Sequence, residues 1–97
     1  MLYTVNKSPF DTNHLESALR VAPAGAPILL CEDGVCAAMQ DAECATLLAT
    51  ALQHHPVYAL QADLDARGIR KLLPGVRVID YGGFVELVEQ NDVAPWL

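Results

Sequence analysis

Short apolar runs alternate with longer amphipathic stretches along this chain. Four of the apolar runs predict strands, because turn residues such as Pro, Gly and Asp bound them. The predicted strands are Leu2–Val5, Ala26–Cys31, Val57–Leu60 and Val76–Asp80. The second run is continuous rather than alternating, which is typical of a strand that is covered on both faces. A fifth strand would have to be very short.

Helical spacing fills the stretches between these runs. The predicted helices are 11–22, 35–53 with a break near Asp41, 61–67, and 84–90. Asp11 or Thr12 is expected to cap the first helix, whose apolar positions recur at i, i+3, i+4 and i+7. Gly68 closes the third helix, and 69–73 is expected to add a further turn. In the last helix Phe84, Leu87 and Val88 are expected to face inward.

This alternation of strands and helices predicts βαβ units around a parallel sheet, with helices on both faces. The crossovers between strands are expected to be right-handed. The expected fold is therefore a small three-layer αβα sandwich of the flavodoxin-like kind, with a mostly parallel sheet of four or five strands. A chain of 97 residues holds one domain, which we place at 1–97.

Composition adds an expectation of partners. Apolar residues make up 53% of the chain, which is above the usual range for a globular domain. A domain of this size buries only about 60–65% of the surface that its unfolded chain exposes. The chain is therefore expected to gain stability from association with other subunits, although an Ala-rich helical face packed within the same domain would also explain the composition.

The net charge limits the kind of partner that the chain is expected to bind, and the pattern of apolar residues indicates its compartment. The net charge is −6 with six basic residues, so strong direct binding to nucleic acid is not expected. No apolar run approaches the ~20 residues that span a membrane, and the N-terminus lacks the pattern of a signal peptide. A cytoplasmic location is expected, where Cys31, Cys36 and Cys44 would be reduced thiols.

Candidate chemistry is expected beyond the carboxyl ends of the strands, where open α/β sheets place their sites. Lys7 and Ser8 follow the first strand, but no glycine-rich cradle surrounds them and Pro9 removes a backbone donor. They are therefore interpreted as a partner contact or a structural loop. Tyr81 follows the fourth strand and is expected to pack against a neighbouring subunit or loop.

The second strand is followed by Glu32, Asp33 and Cys36. If Asp33 caps the next helix, Cys36 lies in its first turn, where backbone N–H groups favour a thiolate. The negative charges of Glu32 and Asp33 disfavour the same thiolate. A reactive thiol and a small packed residue are both left open for Cys36, whereas Cys31 is interpreted as an inert core thiol.

The remaining polar residues have ordinary explanations. Asp63 and Arg67 can form an i, i+4 ion pair, and His54 with His55 is interpreted as a surface turn rather than a metal site. No phosphate loop, metal set or nucleophile–base pair is found. The sequence therefore predicts no cofactor, and it favours a structural or delivery subunit over an enzyme that works alone.

These segments together resemble the DsrH/TusB family of small sulfur-relay subunits. The residues that carry the resemblance are 2–10, 32–35, 57–60, 63–68 and 79–85, together with Trp96. They cover almost the whole chain in order, and each is short when taken alone.

The resemblance implies a DsrE-like fold and a hetero-oligomer with two related small subunits, DsrE/TusD-like and DsrF/TusC-like, typically a heterohexamer. One branch of the family passes persulfide sulfur towards 2-thiolation of the wobble uridine of tRNA. Another branch serves sulfur oxidation through the dissimilatory sulfite reductase system. In both, the main sulfur-carrying cysteine belongs to the DsrE/TusD-like partner.

One departure from the family bears on mechanism. Members of the oxidising branch can carry a cysteine in the first helix, where this chain has Ser17, Ala18 and Leu19. The departure favours a non-catalytic role in the tRNA branch, while the Asn-Lys-Ser-Pro-Phe start is similar to the oxidising branch as well. A sulfurtransferase that uses its own Cys36 is the remaining alternative.

Overall fold

Strands and helices alternate along the parts of the chain that the computed structural model describes, which are residues 1–8, 13–40 and 45–96, with side chains up to residue 93. The strands are β1 (Leu2–Val5), β2 (Ile28–Leu30), β3 (Val57–Leu60), β4 (Arg77–Ile79) and β5 (Val93–Trp96). The helices are α1 (His14–Val21), a 3₁₀ helix (Glu32–Ala38), α2 (Ala45–His54), α3 (Gln61–Ala66) and α4 (Tyr81–Gln90).

The five strands form one parallel sheet in the order β4-β3-β2-β1-β5. The first four strands step in one direction, and the chain then crosses the whole sheet from β4 to β5. Right-handed crossovers place the helices that follow β1, β2 and β3 on one face and α4 on the other. The predicted three-layer αβα sandwich is confirmed.

One face of the sheet, which we call the packed face, carries the main core. Side chains of β1, β2 and β3 meet those of α1, the 3₁₀ helix, α2 and α3 there, because alternate strand residues point to the same side. The core residues include Val5, Ile28, Leu30, Val57, Leu15, Ala18, Val35, Leu48 and Leu64, all with at most 2% of their surface exposed. The predicted apolar side of the first helix is confirmed by Leu15 and Ala18.

The opposite side, which we call the α4 face, is more thinly covered. Leu2, Leu29 and Leu60 point to this side and are buried, and half-buried Phe84 of α4 lines a crevice with Leu29 and Leu60. No residue of α4 is buried. One helix therefore covers the sheet face here, in the described part of the chain, where the packed face has four helical elements.

The strand predictions are close, with one omission. The first and third strands match at both ends, and the second and fourth are shorter than predicted. The fifth strand, which the sequence allowed for without locating it, is the edge strand β5, where Pro95 interrupts a short run; proline is tolerated at an edge, where its missing N–H has no ladder partner to serve. β5 pairs with β1 from Leu2↔Val93 to Val5↔Trp96.

The helix predictions need more correction. The N-cap of α1 is Asn13, while Asp11 and Thr12 lie outside the described residues, as does the expected break near Asp41. The third helix is confirmed, and Gly68 ends it in the left-handed region at φ 65°. The predicted extra turn over 69–73 is wrong, since Leu72 instead forms an isolated bridge with Met39.

The last helix begins three residues earlier than predicted. Asp80 is its N-cap, and its Oδ1 accepts a hydrogen bond of 2.8 Å from the backbone N–H of Gly83. The inward orientation predicted for Val88 is wrong, since 38% of its surface is exposed. None of the described helices is long and apolar enough to cross a membrane.

Candidate functional site

A crevice opens at the carboxyl edge of the sheet, where α3 leaves β3 towards one face and α4 leaves the adjacent β4 towards the other. Divergence of this kind is what produces binding crevices in open α/β sheets. The cavity is about 260 Å³. Its described lining is Leu29, Cys31, Glu32, Leu60, Asp63, Tyr81 and Phe84. Segments that follow the second, third and fourth of the four predicted strands thus contribute to it.

The backbone at Glu32 is held in an unusual conformation beside this crevice. Glu32 has φ 48°, in the left-handed region that non-glycine residues seldom occupy. Its N–H donates a hydrogen bond of 2.7 Å to Oδ2 of Asp63, which offsets part of the strain. Two residues on, a Cβ at Gly34 would overlap the carbonyl oxygen of Val5, so glycine lets the 3₁₀ helix approach the end of β1.

Cys31 is the thiol that lines the crevice. Its Sγ lies 3.9 Å from the carbonyl oxygen of Val5. Burial raises the pKa of the Cys31 thiol to about 11, and the negative charges of Glu32 and Asp63 contribute in the same direction. The group therefore stays protonated at neutral pH, and a protonated thiol is a poor nucleophile.

Arg67 joins two loops next to the crevice. Its guanidinium donates to Oδ1 of Asp33 through Nη2 at 2.8 Å and Nε at 3.0 Å, and to the carbonyl oxygen of Asp63 at 3.2 Å. The hydrogen bond to Asp33 is the largest of the effects that raise the pKa of Arg67. The predicted Asp63–Arg67 pair exists with an N–O distance of 3.8 Å.

The Asp33–Arg67 link was not foreseen from the sequence, because 34 residues separate the two side chains. It also corrects the role predicted for Asp33. The 3₁₀ helix has Cys31 at its N-cap with no side-chain cap, so Asp33 pairs with Arg67 instead of capping a helix.

Cys36 is half-buried on the 3₁₀ helix and is not in the described lining of the crevice. It lies close enough for its charged form to contribute to the raised pKa of Arg67. The sequence showed no positive neighbour for this cysteine, and the fold supplies one. That guanidinium donates its hydrogen bonds to Asp33 and to the carbonyl oxygen of Asp63.

Tyr81, Lys7 and Ser8 have different surroundings. Tyr81 is 60% exposed and forms one wall of the crevice from the first turn of α4. Lys7 is exposed and Ser8 is half-buried beyond β1, and the described lining of the crevice includes neither. The structure thus brings Tyr81 to Cys31 and Asp63, and it leaves the segment after β1 apart from them.

A second, more open cleft of about 580 Å³ lies near the amino ends of β3 and β4. Arg77 stands over the ring of Tyr58 there, 5.8 Å from its centroid. His55 also lines this cleft and is only 8% exposed, with Nδ1 at 2.9 Å from the carbonyl oxygen of Ala26. The surface-turn prediction is therefore wrong for His55. The described side chains form no group of three that would hold a metal ion.

Comparisons with known proteins agree on one family. The family model described as DsrH like protein matches residues 7–94. Protein TusB of Serratia proteamaculans is 40% identical over 94 residues, which is 94% of each chain. Protein TusB of Pectobacterium parmentieri is 35% identical over 99% of this chain and 100% of its own length.

Solved structures extend the likeness to the fold. The ychN protein from E. coli superposes with a TM-score of 0.81 at 20% identity, over 97% of this chain and 96% of its own. Protein Tm0979 from Thermotoga maritima gives a TM-score of 0.64 at 27% identity, over 95% of both chains. Because the ychN protein is only 20% identical to this chain, its likeness shows the fold alone.

Proposed function

The chain belongs to the family of DsrH-like proteins, and from this premise we propose that it is a non-catalytic subunit of a heteromeric sulfur-relay complex. The complex passes persulfide sulfur towards 2-thiolation of the wobble uridine of tRNA. The observation that carries the proposal is the match to proteins TusB at 35–40% identity over nearly the whole chain. It favours the tRNA branch over the alternative of sulfur oxidation.

The chemistry of the crevice supports a non-catalytic role. Sulfur moves between cysteines when an acceptor thiolate attacks the outer sulfur of a persulfide and the donor leaves as a thiolate. Burial raises the pKa of the crevice thiol, Cys31, to about 11, and the negative charges of Glu32 and Asp63, which line the crevice beside it, disfavour its thiolate further. The attacking thiolate is therefore assigned to a partner subunit.

The partners are two related small subunits, DsrE/TusD-like and DsrF/TusC-like, in a heterohexamer that acts in the cytoplasm. Within this assembly the chain is a scaffold. Lys7, Ser8, Asp33 and Tyr81 are its proposed loop or interface positions, since Lys7 and Tyr81 are exposed and Asp33 is fixed by Arg67 at the rim of the crevice.

The rival function is a sulfurtransferase that uses Cys36, and the nearness of Arg67 is the observation in its favour. Exposure of the purified chain to a persulfide donor separates the two. The scaffold role predicts no gain of a sulfur atom on Cys36 by mass spectrometry, whereas a stable persulfide there would support the rival.

Co-expression with the two related subunits tests the proposal itself. A tag on one partner should recover this chain in constant stoichiometry through size-exclusion chromatography, because a small, apolar domain gains stability from association. A chain that stays a lone monomer beside an assembled pair of partners would overturn the proposal. An unrelated small acidic protein expressed in the same way serves as the control.

A further inference from the structure

Helix α4 is apolar on two sides, and one of them packs against the sheet of the same domain. Phe84 and Leu87 are half-buried. Tyr81, Val85 and Val88 recur at i, i+4 and i+7, which places them together on another side of a helix with 3.6 residues per turn. Their exposed fractions are 60%, 52% and 38%. We call these three residues the α4 stripe.

The geometry of the sheet explains why part of the α4 face stays uncovered. The outer strands of a five-stranded sheet are about 19 Å apart, whereas one helix is about 10 Å wide. A single helix therefore leaves part of the face uncovered. Val93 on the edge strand is 42% exposed on this side, next to Leu2. Exposed apolar side chains that occur together, as in the α4 stripe, mark an interaction site.

Charge decides which partner fits the stripe. Glu86 and Glu89 are exposed on the same helix beside it, and each copy of the chain carries a net charge of −6. A two-fold contact between copies would use the same patch twice, so glutamates would face glutamates. Like charges at a contact cost affinity, and self-association through the stripe is therefore disfavoured.

We propose that the α4 stripe is the docking surface for a different, folded subunit that presents an apolar centre rimmed by Lys or Arg. The centre covers Tyr81, Val85 and Val88, and the basic rim meets Glu86 and Glu89. This inference rests on the proposed function, because it names the surface through which the chain joins its assembly. It also places the partner against the crevice, since Tyr81 belongs to both.

Two matched valine variants test the apolar centre. Val85 and Val21 are exposed to similar extents, 52% and 55%, but Val21 lies at the end of α1, on another helix. Val85→Gln should weaken binding to the assembled pair of related subunits about tenfold or more, because the amide is buried without a partner. Val21→Gln should leave the dissociation constant unchanged, and circular dichroism should show both variants folded.

Charge reversal tests the rim. Glu89→Lys should slow association at low salt, with the difference from the wild type shrinking as salt rises. Glu16→Lys makes the same change of net charge on α1, where Glu16 pairs with Arg20, and should have little effect.

The outcomes separate the docking surface from the function. If the wild-type chain binds the pair and Val85→Gln binds as tightly as Val21→Gln, the docking surface is wrong and the proposed function stands. If the wild-type chain does not bind the pair, both are wrong. If the chain alone forms a dimer in sedimentation that Val85→Gln dissolves, a second copy occupies the stripe and the basic-rimmed partner is overturned.

Discussion

The two faces of the sheet differ in how they are covered. On the packed face, α1, the 3₁₀ helix, α2 and α3 enclose a continuous core whose largest residues are fully buried. On the α4 face one described helix lies over the sheet, without a buried residue of its own. The chain therefore builds most of its core on one side of the sheet and leaves apolar side chains of α4 exposed on the other.

The largest expected effect of this difference is on unfolding. Leu48→Ala removes a fully buried side chain of the packed face and should lower the free energy of unfolding by about 2–5 kcal/mol. Leu87→Ala makes the same truncation on α4, where the side chain is half-buried, and should cost about 1 kcal/mol. Urea titration of the isolated chain measures both, and equal losses would contradict the contrast between the faces.

A smaller effect is expected at the carboxyl edge, where the two faces meet. Asp63→Ala removes the acceptor of the Glu32 N–H and a neighbour of Arg67, and should cost about 1 kcal/mol. Asp65→Ala, on the same short helix, loses one exposed contact from Gln61 and should stay within about 0.5 kcal/mol of the wild type. Urea titration compares the pair, and an Asp65 loss as large as that of Asp63 would contradict the structural role of the link.

The smallest expected signal is the reactivity of Cys31 on the α4 face. With Cys36 and Cys44 replaced by Ser, Cys31 should alkylate slowly at pH 7, where a pKa of about 11 leaves about one thiol in ten thousand ionised. Because the folded pKa is raised, the thiolate fraction and the rate should grow about tenfold per pH unit until the pH approaches that value. Fast alkylation of the folded chain at pH 7 would show that the thiol is activated, and the denatured chain serves as the fast control.

Signals that are local in the sequence explain which strands and helix orientations were predictable. Continuous apolar runs identified β1 and β3, and the spacing of Leu15 and Ala18 identified the buried side of α1. The position of the edge strand β5 was not predicted, because a run interrupted by Pro95 gives little local signal. Val88 was placed inward because periodicity shows that a helix side is apolar, and it does not show whether the chain itself or a partner covers that side.

The candidate site was predictable in its location and less so in its contacts. The rule for strand ends points to the segments that contain Glu32, Asp63 and Tyr81, and these side chains line the crevice. The contacts of Arg67 were missed because Asp33 lies in a distant segment, and only the fold brings the two together. Burial of His55 was missed for the same reason, since its acceptor, the carbonyl of Ala26, lies 29 residues away.

We propose that this chain supports sulfur transfer without carrying sulfur itself. The direct test is formation of 2-thiouridine by the complex reconstituted with a chain in which Cys31, Cys36 and Cys44 are all replaced by Ser. The account predicts thiolation close to the wild-type rate, and loss of thiolation when this chain is left out. An intact complex that no longer thiolates tRNA with the cysteine-free chain would contradict it.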